Sequence, residues 1–279
     1  MTKKIPTKDF LLSQTLECGQ CFHFKKIQDE EYQIVAYGKL LHASYKDNEL
    51  TLHNVDEEDV ELWYDYFDLG RDYGAIKSYL LAKDDLLRPS IEAMWGVRLL
   101  KQEFFETMIS FIISQNQQIP RIKQIVANLS KACGKKLSED MYAFPTAKDI
   151  LGIGEAGVRE CKAGFRSSYI IDACQKYLNG EINEEVLRDL SYSDCIEKLK
   201  CIKGVGDKVA NCVALFSLEK RNAFPVDVWI KRTMESIYFK KETSVKEIAE
   251  FAGERFGEYG GYAQQYLFYY GKTSKTEKK

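Results

Sequence analysis

The chain has 279 residues, 45% of them hydrophobic, and a formal net charge of −2, so it is a globular chain of one large or two modest domains and not a disordered one. No run of about 18 apolar residues occurs, which excludes a membrane-spanning helix. No apolar stretch follows the charges of Met1-Thr2-Lys3-Lys4-Ile5-Pro6, so no secretory signal is expected and a cytoplasmic protein is.

Residues 1–55 read as β structure. Gln20-Cys21-Phe22-His23-Phe24, Tyr32–Tyr37, Lys39–Tyr45 and Glu49–His53 are rich in alternating apolar and polar residues, and Gly38 and Asp47-Asn48 are turn signals. A small antiparallel sheet follows. The chain has eight cysteines, but without a secretory signal disulfides are not expected. Cys18 and Cys21 form one Cys-x-x-Cys pair with no second close pair to complete a zinc site, so buried thiols are the expectation. All three histidines lie in this N-terminal part.

From about Leu62 the pattern turns helical. Tyr64, Phe67, Leu69, Tyr73, Ile76, Leu80 and Leu81 suit one helical segment that runs through Gly70 and Gly74. Residues 90–133 continue with Ile91, Met94, Leu99, Leu100, Phe104, Phe105, Met108, Phe111, Ile112 and Ile113 as core. Within them Ser114-Gln115-Asn116-Gln117-Gln118-Ile119-Pro120-Arg121 follows a strongly apolar helix. It is either a polar helix end or a loop whose amides enter an opened duplex. Residues 144–190 hold Gly164-Phe165-Arg166-Ser167-Ser168-Tyr169, a Gly-led turn whose aromatic and arginine suit either surface packing or a wedge and base reader.

Apolar residues then recur at helical spacing on both sides of Ile202-Lys203-Gly204-Val205-Gly206-Asp207-Lys208, which reads as helix, tight hairpin, helix. The two glycines mark positive φ or close backbone approach, and Asp207 is placed to cap the second helix. Lys208 then falls in the first helical turn, where the positive end of the helix disfavours an ammonium; a free amine is a nucleophile that forms Schiff bases. Phe224-Pro225-Val226-Asp227 supplies a carboxylate placed to cap a further helix, and the amides of Gly204 and Gly206 can cradle a phosphate. Between Lys200 and Arg232 seven Lys/Arg face three Asp/Glu, so the segment is basic although the chain is not. Each feature alone is commonly a turn, a solvated lysine or a cap. The ordered set suggests chemistry on a nucleic-acid sugar. Residues 245–270 read as helical and rich in tyrosine, one ring of which can stack on a base, and a charged tail follows.

That set, Gly204-Val205-Gly206, Lys208 and Pro225-Val226-Asp227, resembles the helix–hairpin–helix–Gly/Pro/Asp superfamily of DNA repair glycosylases. Within it the chain is most similar, from about Phe10 to Gly271, to the 8-oxoguanine DNA glycosylase/AP lyases. Cys18-Gly19-Gln20-Cys21-Phe22 is similar to the family's Gly-Gln-x-Phe segment, which places on Gly19 the carbonyl that accepts the N7–H of 8-oxoguanine. The resemblance makes Asn116 the filler of the gap left by the flipped base, and Arg121 and Arg166 the contacts to the orphaned cytosine. It places Phe165 at the wedge, Cys212 and Phe268 on the two faces of the base, and Gln264 on its Watson–Crick edge. The chain departs from the pattern at Lys203, where proline is usual, at Trp229, which stands for a histidine near a DNA phosphate, and at Phe216, which stands for a pocket methionine.

The resemblance implies an α+β fold: an N-terminal antiparallel β domain (1–70), then a two-lobed helical glycosylase core (71–271) with the helix–hairpin–helix at about 193–218, and a frayed tail (272–279). It implies a bifunctional DNA glycosylase and AP lyase acting on double-stranded DNA with an oxidised purine, as a monomer, associated with the nucleoid if the source is bacterial. Lys208 is the nucleophile and Asp227 its electrostatic partner. No cofactor or metal is required. A cation at the hairpin carbonyls is compatible with the chemistry, and no iron–sulfur cluster can be built because no cysteine lies beyond Cys212. Three alternatives stay open. A pyrimidine-lesion glycosylase of the endonuclease III type shares the lysine and aspartate but lacks the β domain. An alkylpurine glycosylase normally lacks the lysine. A non-catalytic helix–hairpin–helix module needs neither Lys208 nor Asp227.

Overall fold

The computed structural model describes residues 1–273. Five antiparallel strands, β1 (Lys3–Pro6), β2 (Phe24–Gln28), β3 (Glu31–Ala36), β4 (Lys39–Lys46) and β5 (Glu49–His53), form one sheet in the order β1-β5-β4-β3-β2. Two-residue turns set the register. Tyr37 and Gly38 join β3 to β4, and Asp47 and Asn48 join β4 to β5, all four at positive φ. That geometry matches the twist of the flanking strands. Tyr32, Ile34, Leu41, Ala43, Leu50 and Leu52 alternate onto one buried face, which α2 (Val60–Tyr66) and Phe67 cover with Trp63, Tyr66 and Phe67.

Two expectations for this part need correction. Gln20–His23 is not a strand, because the buried Gln20 carboxamide is drawn into side-chain bonds: it donates to Thr15 O and Arg98 O, both at 2.7 Å, and accepts from the Leu100 amide. The short helix α1 (Leu12–Leu16) was not legible from periodicity; its free amides at Leu12 and Ser13 are capped from a distance by the Glu30 carboxylate, at 2.7 and 3.2 Å.

The helical part begins with α3 (Tyr73–Lys83) and α4 (Arg88–Ala93). The single helical segment expected through Gly70 is in fact broken between α2 and α3, where Asp68 takes φ +50° and Asp72 caps α3 through Ala75 N. At this break the guanidinium of Arg98, buried over the Tyr73 ring, donates to the carbonyls of Lys8 and Asp68 at 2.8 and 2.7 Å. Lys77, also buried, pairs with Asp9 at 2.7 Å. The N-terminal segment is thereby clasped onto the helices. At the centre of the molecule lies α5 (Phe104–Ile113), buried at every position but Glu106.

Around α5 stand α6 (Ile119–Cys133), α7 (Ala147–Val158), α8 (Ser167–Leu178), α9 (Glu184–Asp189), α10 (Tyr192–Leu199) and α11 (Asp207–Ser217). They are followed by α12 (Val228–Met234), α13 (Val245–Phe256) and α14 (Gly260–Thr273). Lys272 and Thr273 continue α14, and the rest of the expected tail lies outside the described residues. Among the described residues no helix is long and apolar enough to cross a membrane.

Candidate active site

The hairpin joins α10 to α11. Gly204 has φ +76°, and a Cβ built on it would lie 2.3 Å from the Tyr169 ring on α8. Both glycine-specific demands therefore fall on Gly204. Gly206 has φ −104° and open space where a Cβ would point. Gly206, not Asp207, is the N-cap of α11; Asp207 is the first helical residue and its carboxylate lies 2.9 Å from Lys200 Nζ. Among the described residues the amides of Gly204 and Gly206 donate to no other group of the protein, and the first turn of α11 adds further unpaired N–H groups. Gly204→Ala is accordingly expected to cost about 2–4 kcal/mol, through backbone strain and a clash with a packed ring. Gly206→Ala meets no clash and is expected to cost only about 0.5–1 kcal/mol, as alanine is the poorer N-cap. Thermal unfolding of the two variants side by side checks the contrast.

Lys208 follows two residues after Gly206. Its Nζ donates to Ser114 Oγ at 3.2 Å, stands 5.1 Å from the Phe111 ring centroid and lies beside the Cys212 thiol. Ser114 closes α5 and spends its own proton on Phe111 O at 2.8 Å, so it can only accept from the lysine. The carbonyl end of α5 favours a positive head there. Burial pushes the Cys212 thiol up to about 11 although the lysine pulls it down, so the sulfur stays protonated.

Asp227 caps α12, its Oδ1 accepting the Ile230 N–H at 2.8 Å. Burial raises its carboxyl above the ordinary carboxylate value, while the Ile230 N–H and the nearby Lys208 draw it back down. No ion pair joins Lys208 to Asp227; the lysine head is bonded to Ser114 instead.

The Nε2 of Gln264 donates to Pro225 O at 3.2 Å, whereas its buried Oε1 has no partner in the protein. Gly19 has φ +85°, and a Cβ on it would fall 3.4 Å from Phe268 Cε1 and 3.0 Å from Ile119 Cδ1, so the glycine backbone and the phenylalanine edge are neighbours. Gly19 and Phe268 are thus neighbours, while Cys212 lies by Lys208 and Gln264 is tied to the segment just before Asp227. Phe216 stands one layer back, stacked on Phe111 at 5.4 Å and 12°.

The DNA-facing candidates divide. Asn116, at φ +51°, and Arg121 are exposed, and Phe165 is 52% exposed at the tip of the Gly164 turn. Trp229 is half-buried, with the Arg232 guanidinium 5.7 Å from its ring. Arg166 differs from the expectation of a free reader: it is 3% exposed. Its Nε donates to Gln115 O at 2.9 Å and its Nη2 bonds the same carbonyl, while Nη1 reaches Ala163 O at 3.2 Å. These bonds hold the guanidinium inward, two of them to Gln115 O beside Asn116 and one to Ala163 O in its own turn.

Cys18 and Cys21 are buried, and burial raises both thiols, Cys18 to about 11. Among the described residues no group of three His, Cys, Asp or Glu side chains is arranged to hold a metal ion. Sequence reasoning missed the role of Ser114, which lies 94 positions from Lys208 and signals nothing by its spacing.

Residues 3–108 match the 8-oxoguanine DNA glycosylase N-terminal domain, and residues 109–258 match the HhH-GPD superfamily of base excision DNA repair proteins; the two matches meet inside α5. A crystal structure of Clostridium acetobutylicum 8-oxoguanine glycosylase/lyase, in complex with double-stranded DNA containing cytosine opposite 8-oxoguanine, superposes with a TM-score of 0.93. It is 39% identical, over 99% of this chain and 98% of that one. The N-glycosylase/DNA lyase OGG1 of Arabidopsis thaliana is 27% identical over 95% of this chain and 78% of its own length. A probable N-glycosylase/DNA lyase of Methanothermobacter thermautotrophicus is 29% identical over 70% of each. The chain belongs to the HhH-GPD superfamily of base excision DNA repair proteins, with an 8-oxoguanine DNA glycosylase N-terminal domain ahead of the superfamily domain.

Proposed function

We infer that the protein is a bifunctional DNA glycosylase and AP lyase that removes 8-oxoguanine from duplex DNA. The observation that carries this reading is one lysine amine beside one carboxyl raised by burial and one unpaired carboxamide oxygen, with a hairpin whose glycine amides have no partner among the described residues. The Gly204 and Gly206 amides and the basic hairpin hold the backbone, Phe165 wedges the duplex, and Asn116 occupies the space of the extruded base. Arg121 is available to the orphaned cytosine; Arg166 reaches it once duplex binding releases its guanidinium from Gln115. Trp229 packs near a DNA phosphate.

Phe268 and Cys212 sandwich the flipped base, with Phe216 behind. The unpaired Gln264 Oε1 accepts from the N–H groups of the purine's Watson–Crick edge, which relieves a buried acceptor that otherwise costs about 1–3 kcal/mol. Gly19 accepts the N7–H that guanine lacks. Lys208 Nζ forms a bond to C1′ as the C1′–N9 bond breaks and the base leaves with a proton. Ring opening gives the Schiff base. Loss of a C2′ proton then expels the 3′ phosphate, and hydrolysis frees the lysine. Asp227 stabilises the positive charge that develops on the sugar.

An amine, a carboxylate and hydrogen-bond donors balance every step, so no cofactor enters. A cation at the hairpin carbonyls would add to this arrangement; one of those carbonyls, Cys201 O, already accepts from Lys176. The sheet of residues 1–70 buttresses the base pocket and residues 71–271 carry the chemistry. A monomer, in the compartment that holds the DNA, suffices to clasp a duplex. Borohydride trapping tests the reading. A covalent adduct is expected on 8-oxoguanine opposite cytosine, and none on undamaged guanine. An adduct chiefly on thymine glycol would move the protein to the pyrimidine-lesion branch, and none on any lesion would leave a DNA-binding module.

A further inference from the structure

On α8, Tyr169, Asp172 and Lys176 fall at spacings of three and four and share one face. That face is turned to the hairpin. Tyr169 fills the space a side chain at Gly204 would need. The Lys176 ammonium pairs with Asp172 at 3.0 Å and also donates to Cys201 O at 2.8 Å. Asp172 Oδ2 accepts the Lys203 N–H at 2.7 Å. A half-buried i,i+4 ion pair adds little stability by itself. Here each partner makes a second bond, and those second bonds go to the hairpin backbone on either side of Ile202. Ile202 O in turn accepts Val205 N at 3.0 Å. With these groups occupied, the amides of Gly204 and Gly206 are the ones left without a partner among the described residues.

We propose that Asp172 and Lys176 are positioning residues that hold the hairpin backbone in the form that receives a DNA phosphate, an inference that rests on reading the hairpin as a DNA grip. The bond from Lys203 exists because that residue is not proline, which has no N–H to give. The ion pair on α8 thus supplies from outside the turn the rigidity that a ring at 203 would supply within it.

The test is affinity for a duplex carrying an uncleavable tetrahydrofuran abasic site, with single-turnover base release from an 8-oxoguanine duplex at saturating enzyme and thermal unfolding as companions. Asp172→Ala and Lys176→Met are expected to weaken binding roughly tenfold while the rate at saturation stays within about twofold of wild type. In a Lys203→Pro background, Asp172→Ala is expected to cost less than about twofold, since the N–H it served is gone. Asp172→Asn keeps an acceptor for that N–H and is expected to bind within about threefold of wild type; it stands in where Asp172→Ala is unstable. Variants that bind as wild type does, an Asp172→Ala cost that is the same in both backgrounds, or a full tenfold loss in Asp172→Asn would each overturn the inference and leave the function standing. Wild-type protein that bound no such duplex would overturn both.

Discussion

Lys208→Gln is expected to lower both base release and strand nicking by more than about 10³-fold while binding a lesion duplex within about threefold of wild type. On the proposed mechanism both reactions pass through one bond, from Nζ to C1′, so removing the amine removes them together. A binding role for the same lysine predicts the opposite pattern, weak affinity with a normal rate at saturation. Glutamine is one bond shorter than lysine but keeps an N–H donor and the inner part of the stem beside Phe111 and Cys212, so the variant removes the amine with little change in its surroundings. Single-turnover base release and alkali-independent nicking, measured with a gel-shift of the same duplex, separate the two. Base release by Lys208→Gln at the wild-type rate would show that water or another group attacks C1′.

The resting position of the lysine gives this experiment a second meaning. Its head is held at the carbonyl end of α5, on Ser114 and over Phe111, and not on Asp227. On the proposed mechanism the amine and the carboxylate therefore meet the sugar from separate anchors. The Ser114 oxygen, which can only accept, fixes the direction of the lysine head. Ser114 does for the lysine what the helix cap does for Asp227: it orients the group.

How much of this was legible depends on whether the signal is local. The β3–β4 and β4–β5 hairpins were legible because Gly38 and Asp47-Asn48 are turn residues flanked by alternating strands, and the structure puts them at positive φ. The helix–hairpin–helix and the Asp227 cap were legible for the same reason. Asp207 was misplaced as the cap by one residue: its carboxylate is drawn to Lys200, and Gly206 takes the cap with its backbone alone. Gln20–His23 had the alternation of a strand, but Gln20 binds Thr15 and Arg98, partners that no short window contains. Arg166 read as a base contact because it follows an exposed aromatic; its inward bonds to Gln115 cross 51 positions. Local chemistry was visible, and the long-range bonds that decide where a side chain points were not.

Asp227→Asn separates stability from activity. Because the folded protein holds this carboxyl at a raised value, it binds the proton more tightly than the unfolded chain does. Above both values the buried carboxylate therefore costs stability, and the cost is relieved as pH falls through the folded value. Asparagine removes that cost at neutral pH and remains a strong N-cap for the Ile230 amide. The melting temperature of Asp227→Asn is thus expected to equal or exceed wild type at pH 7 and to lose the advantage as the pH is lowered. Activity moves the other way. The charge that stabilises the developing cation on the sugar is gone, and single-turnover base release should fall by about 10²–10³-fold. In wild type the acid limb of the rate profile should lie above the ordinary aspartate value, since on the proposed mechanism only the ionised form works. In Asp227→Asn that limb should vanish from the residual rate. A variant that lost activity because its helix had frayed would show a lower melting temperature at every pH, and a variant that kept the acid limb would assign it to another group. Stability that rises and base release that falls in the same variant would mark Asp227 as a group held for its chemistry.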